Sequence, residues 1–200
     1  MKKIFGAAVV LCAAALLTAC GNGPSQNEIM LANLTAGEQE IVDLLTDGER
    51  EILLFDYSAE KAYKTVDVWV EVYENGVLQD RPMRMTASGN TGSRHDGRMA
   101  VIIDQNPRFN FKWTISINED GSGSSTNKLT DTPSVVVEPS DLMRAYGPMT
   151  GKVAIEGGEE ILLYASVFTS GDTASTADAR TPETLKKYEY AHLIKCKFDR

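Results

Sequence analysis

Val66, Val68, Val70 and Val72 alternate along the chain with Asp67, Trp69, Glu71 and Tyr73. A two-residue period sustained over this length is that of a β-strand with one buried face. Asn75-Gly76 follows, a pair that readily takes the positive φ angles of a tight hairpin turn, so residues 77–87 are expected to return antiparallel. Pro82 brings no N–H to a ladder and assigns this return strand to a sheet edge or a bulge. A second clear alternation puts Phe109, Phe111, Trp113, Ile115 and Ile117 on one face. Asn110, Lys112, Thr114, Ser116 and Asn118 take the other.

Shorter runs of strand character occupy 51–57, 99–103, 134–138, 151–155, 161–168 and 188–198, most of them separated by clusters of Gly, Asn, Asp and Ser. About eight or nine strands with no long helices between them favour antiparallel sheets, because parallel neighbours need long crossovers. The expected fold class is mainly β, an antiparallel two-sheet β-sandwich of immunoglobulin-like or jelly-roll architecture. The Cys, Trp, Cys spacing of antibody domains is absent. One short N-terminal helix is predicted over 36–46, where Thr35 and Glu38 have capping-box spacing and Ile41, Leu44 and Leu45 share a helical face. The Gly121-Ser122-Gly123-Ser124-Ser125 stretch reads as a flexible hairpin tip.

The first twenty residues follow a different logic. Lys2 and Lys3 precede an apolar run over 4–17, which closes on Leu17-Thr18-Ala19-Cys20. These are the charged, apolar and small-residue regions of an export signal, and the run falls short of the roughly 20 residues that a spanning helix needs. Leu-Thr-Ala-Cys resembles the lipobox of bacterial lipoproteins. The resemblance implies that residues 1–19 are a signal peptide, that Cys20 is lipidated and becomes the first mature residue, and that lipid holds the chain on the extracytoplasmic face of a membrane. Acyl chains buried at about 0.8 kcal/mol per CH₂ make such an anchor stable. The resemblance implies nothing about the fold behind it. Residues 20–34 are expected to be the lipidated cysteine and a flexible tether, being rich in Gly, Asn, Ser and Gln without a period. A single sandwich domain should then fill 35–200.

Charge narrows the choice of partner. The chain carries 20 Lys plus Arg against 28 Asp plus Glu, a net charge of −8, and loss of Lys2 and Lys3 with the leader takes it to about −10. Nucleic acid and anionic lipid both call for basic clusters, so neither is expected as an electrostatic partner, and the lipid must do the anchoring. Of the three cysteines, Cys12 leaves with the leader and Cys20 carries lipid, so Cys196 has no intramolecular partner for a disulfide. Apolar burial alone must build the core.

Catalytic motifs are missing. His95 sits in a polar stretch, 92–97, and reads as a solvated loop residue; His192 shares a strand face with Tyr190, Ile194, Cys196 and Phe198 and should be partly buried with a hydrogen-bond partner. Neither has metal-ligand spacing, and Cys196 reads as a small buried hydrophobe. The serines at 122–125 lack the G-x-S-x-G pattern of a nucleophile elbow. Laid on a calcium loop beginning at Asn118, the same stretch puts Leu129 where a bidentate carboxylate is required. No catalytic residue, cofactor or metal ligand is assigned.

Two constellations point to binding. Trp69 and Tyr73, beside Asp67 and Glu71, could stack on and hydrogen-bond a sugar. Arg81, Arg84, Arg94 and Arg98, with His95, gather basic character suited to carboxylate or phosphate. Against the first stands a face covered by the helix or by cross-strand neighbours; against the second stand edge charges that discourage strand pairing. The expected function is a non-enzymatic ligand- or partner-binding module at the cell envelope, its partner a glycan or another envelope protein. A structural subunit of an envelope complex would show a contiguous apolar patch. A glycan hydrolase would instead show a pocket of converging carboxylates or histidine with shifted pKa values.

Overall fold

The computed structural model describes residues 24–46, 50–60, 62–88, 95–105, 111–119, 123–129, 142–179 and 181–200. In chain order these residues form β1 (Glu28–Leu31), α1 (Ala36–Leu45), β2 (Arg50–Ala59), β3 (Thr65–Glu74), β4 (Val77–Ser88), β5 (His95–Gln105), β6 (Phe111–Glu119), β7 (Gly123–Leu129), β8 (Met143–Pro148), β9 (Lys152–Ala154) and β10 (Glu160–Thr169). A 3-10 turn (Thr176–Asp178), α2 (Pro182–Leu185) and β11 (Tyr190–Asp199) complete the set. Two antiparallel sheets result, with strand orders β7-β6-β5-β2-β1-β9 and β4-β3-β11-β10-β8. The mainly β, two-sheet architecture is the one the alternation foretold.

The two sheets enclose one core. Val66, Val68 and Val70 of β3 meet Phe111, Trp113, Ile115 and Ile117 of β6, together with Phe55, Met99, Val101, Ile194 and Phe198. Trp113 and Ile115 are fully buried. Each such side chain contributes about 1.5–3 kcal/mol through removal from water. At the β3–β4 hairpin Asn75 and Gly76 both have positive φ, 49° and 76°, which matches the turn to the strand twist. Gly76 is required twice over, since a Cβ there would lie 2.8 Å from the backbone nitrogen of Lys186. As expected from Pro82, β4 is an edge strand and is irregular: its pairing slips between Val70 and Val72 of β3 and again between Val72 and Tyr73. A further bulge in β10, between Leu162 and Tyr164, accompanies the burial of both Leu163 and Tyr164 in the core.

The second sheet is covered on its outer side as well. Between β10 and β11 the chain folds back, and Ala179, Leu185 and Tyr188 pack on Tyr73, Ala165, Val167, Ala191 and Leu193. Short caps hold this segment: the Ser175 side chain accepts from Ala177 N–H, the Thr181 side chain accepts from Thr184 N–H, and Pro182 begins α2. The Tyr188 hydroxyl donates to the Ser175 carbonyl at 3.0 Å. Covering both faces explains why β10 and β11 are buried almost throughout.

Two expectations about the course of the chain need correction. Residues 28–31, assigned to the tether, form β1 between β2 and β9, with Ile29 fully buried. Four residues, three of them apolar in a row, are too few to show a period, so backbone pairing decides the strand. The hairpin tip is also shorter than expected, because Gly123–Leu129 pairs with β6 as β7. Its sequence, GSSTNKL, has no apolar alternation to announce a strand. The helix forms where predicted, but none of its residues is buried. The leader with Cys20, the expected strand at 134–138, and Phe109 and Asn110 lie outside the described residues. No described helix is long and apolar enough to cross a membrane.

Candidate functional site

Asp67, Trp69, Glu71 and Tyr73 occupy the outer face of β3, flanked by β4 and β11. Glu71 is fully buried and accepts hydrogen bonds from Trp69 Nε1 at 3.0 Å, the Tyr73 hydroxyl at 2.8 Å and Arg81 Nε at 3.0 Å. The Lys195 ammonium reaches the same carboxylate at 2.9 Å and also Glu160 at 2.9 Å. Burial alone would raise the Glu71 pKa, but Lys195, Trp69 and Tyr73 together outweigh it and hold the group at about 2. Burial and the adjacent carboxylate push the Tyr73 hydroxyl up. Asp67 takes Arg84 at 2.6 Å and the Thr86 hydroxyl. Trp69 and Tyr73 are each only 6% exposed, so the open aromatic platform expected for a sugar is not formed. Cross-strand neighbours cover it and make a polar knot across β4, β3, β11 and β10.

The arginines do not gather. Arg81 and Arg84 lie on β4 of one sheet and pair with Glu71 and Asp67, whereas Arg98 lies on β5 of the other. Arg98 donates to both oxygens of Asp56, at 2.6 and 3.1 Å, and to Glu38 at 2.8 Å. Arg94 lies outside the described residues. Each described member of the group therefore faces a carboxylate, and the chain separation of 60 positions between Glu38 and Arg98 hid that partner from the sequence. Glu38 is held at about 2, first by the Thr35 N–H and then by Arg98. This ion pair pins α1 to the sheet. The capping box adds to it, with Thr35 N–H donating to Glu38 Oε2 at 2.8 Å and Glu38 N–H donating to Thr35 Oγ1 at 3.3 Å.

Both histidines are buried. His95, expected in a solvated loop, opens β5 and is buried, with Nδ1 3.8 Å from Glu119 Oε2. The other Glu119 oxygen accepts from the Tyr57 hydroxyl at 3.2 Å. Gly97 makes room for that hydroxyl, since a Cβ at this position would lie 2.5 Å from it. His192 is buried among Phe111, Trp113 and Phe168, with ring centroids 4.4, 5.8 and 5.9 Å away. Among the described residues neither the Nδ1 of His192 nor Trp113 Nε1 has a hydrogen-bond partner. Burial, and then the nearby Arg144, push the imidazole down to about 3, too weak a base for general-base work near neutral pH. Cys196 is fully buried, and burial pushes its thiol up.

Sequence reasoning missed one polar inclusion between the sheets. Arg144 donates to Ser166 Oγ at 2.9 Å and to the Tyr164 hydroxyl at 3.3 Å, and its guanidinium lies over Tyr146 at 4.1 Å, Phe168 at 5.4 Å and Phe111 at 5.5 Å. Burial raises the pKa of the neighbouring Glu51 carboxyl. Met143–Pro148 carries no apolar period, so nothing marked Arg144 as a residue of an edge strand. Among the described residues no group of three His, Cys, Asp or Glu could hold a metal.

Three surface features remain. A shallow cleft of about 490 Å³ is lined by Asp56, Ser58, Asp96, Arg98 and Asn118. A second, of about 500 Å³, lies beside the 3-10 turn, where Met149, Val153, Leu162 and Ala179 meet the Glu160 and Lys195 pair. The third is convex. On α1, Ile41 is 59% exposed, Leu44 79% and Leu45 52%, a stripe at helical spacing with nothing packed over it among the described residues.

Compared with known proteins, residues 28–198 match a family model, the YgaN domain, from the first residue of β1 almost to the end of β11. No curated protein and no solved structure matches the chain.

Proposed function

This chain belongs to the YgaN domain family, and we propose that it is a lipid-anchored envelope protein, held through Cys20, whose sandwich displays α1 to another envelope protein. One observation carries the reading: the apolar side of a well-capped helix faces outward instead of inward. Burying Ile41, Leu44 and Leu45 against a partner would contribute about 1.5–3 kcal/mol each. The two surfaces that the sequence suggested offer less. Trp69 and Tyr73 are buried, and Arg81, Arg84 and Arg98 face carboxylates, so neither a stacked sugar nor a free anion finds the surface that the sequence suggested.

The expected anchor also sets distance. From Cys20 to the first residue of β1 is a span of eight residues, at most about 28 Å when extended. The partner is accordingly membrane-proximal. The test is native electrophoresis of detergent-extracted membranes containing wild type or the double variant Ile41→Ser, Leu44→Ser. Wild type should migrate in a larger complex and the variant as a single chain with an unchanged melting temperature. Wild type migrating alone, or the variant remaining in the complex, would overturn the proposal.

A further inference from the structure

We infer that the surface receiving α1 is an apolar groove on a protein, rimmed by lysine or arginine, and is neither a bilayer nor a second copy of this chain. The inference rests on the reading of α1 as a docking helix and adds the chemistry of what it docks into. Ile41, Leu44 and Leu45 stand at i, i+3 and i+4, the spacing by which one helix face enters a groove. At a rise of 1.5 Å per residue the stripe is only about 6 Å long, so the groove need accommodate little more than one turn.

Charge selects among the possible occupants. The sequence of α1, AGEQEIVDLL, holds three acidic residues and no basic one. Glu38 is taken up by Arg98, which leaves Glu40 exposed beside the stripe, while Asp43 lies on the far side of the helix and accepts from Gln39 at 2.7 Å. At 100° per residue Glu40 lies about 40° around the helix from Leu44, directly on the rim of any groove that holds it. The last turn carries no basic side chain, so the negative end of the helix dipole adds to the same field. A bilayer is a poor fit, because helices that lie in the interface carry lysine and arginine on their polar face and are drawn to anionic headgroups. A second copy is equally poor: pairing two such helices would bring the two Glu40 side chains to one seam, in a chain whose net charge is −8. A basic rim answers the Glu40 carboxylate and the helix end together.

The helix is also ready-made. Its capping box and the Glu38–Arg98 ion pair fix it before any partner arrives, so little ordering cost is left for binding.

The experiment places a photo-crosslinking amino acid at Leu45 in the full chain, expressed in cells, with a second probe at the exposed Glu183 as control. Adducts are mapped by mass spectrometry and compared with those of the charge-reversed variant Glu40→Lys. The expected result is a protein adduct from position 45 and none from 183, at a peptide with lysine or arginine beside apolar residues. The charge-reversed variant should lower the adduct yield at least tenfold, and changing the mapped basic residues to glutamate should restore it. A lipid adduct, or an adduct of twice the chain mass, would overturn the inference. A protein adduct that charge reversal leaves unchanged would remove the basic rim while leaving the docking helix in place. The absence of any adduct from position 45 would remove both.

Discussion

Replacing His192 with phenylalanine should abolish most of the loss of stability that the protein undergoes between pH 7.5 and pH 5. The imidazole is enclosed by Phe111, Trp113 and Phe168, and burial, followed by Arg144, holds its pKa at about 3 in the folded chain. In the unfolded chain the same group titrates near 6.5. Between those values the unfolded state binds more protons, so stability is fully present above about pH 6.5 and falls as the pH drops towards 3. The slope approaches 1.36 kcal/mol per pH unit, which gives a loss of about 2 kcal/mol by pH 5. Glu38 and Glu71, each held at about 2, lose their contributions only below the ordinary carboxylate range, so the window above pH 5 belongs mainly to His192. Phenylalanine suits the ring-lined site and removes the unpartnered Nδ1, so the variant should lie within about 1.5 kcal/mol of wild type at pH 7.5. Urea denaturation at pH 7.5, 6.5, 5.5 and 5.0 would read this as a midpoint that moves in wild type and stays still in the variant, at unchanged slope. Equal pH dependence in the two proteins would refute the reasoning.

Trp113→Ala should destabilise by about 3–5 kcal/mol in the same assay, because the ring is fully buried between the sheets; a loss under about 1 kcal/mol would contradict that placement. Glu71→Gln should cost about 3–5 kcal/mol, since it leaves Lys195 and Arg81 facing a neutral group in a buried knot. Calorimetry on the single variant would show the loss. Arg98→Glu should change global stability little but release α1, seen as faster amide hydrogen exchange over 36–45 with the strands unaffected.

What could be read from the chain, and what could not, divides along local lines. The alternation in β3 and β6, the Asn75-Gly76 turn, the irregular edge at Pro82 and the Thr35–Glu38 cap all depend on residues close in sequence, and each is present. β1, β7 and β8 were illegible because a short or polar strand is defined by its neighbours' backbones, not by its own side chains. The segment over β10 and β11 escaped notice for a related reason: a three-residue turn and a four-residue helix are too brief for a period. At the candidate sites the residue types were visible and their partners were not. Trp69 and Tyr73 read as a platform until register placed Arg81, Arg84 and Lys195 across them. His95 read as a loop residue because its partner Glu119 lies on the neighbouring strand. Most instructive is α1, whose amphipathic pattern was plain. The usual inference from that pattern is a face turned to the core, and only the three-dimensional arrangement shows it turned away.

The central claim joins an anchor at Cys20 to a helix that docks on a membrane-proximal partner. Its most direct test follows fatty-acid labelling and photo-crosslinking from Leu44 in the same cells, for wild type and Cys20→Ala. Wild type should take up the label and give a protein adduct. Cys20→Ala should do neither, because the unanchored chain no longer shares the partner's surface. Label retained on the variant, no label on wild type, or equal adduct yields from the two would contradict the account.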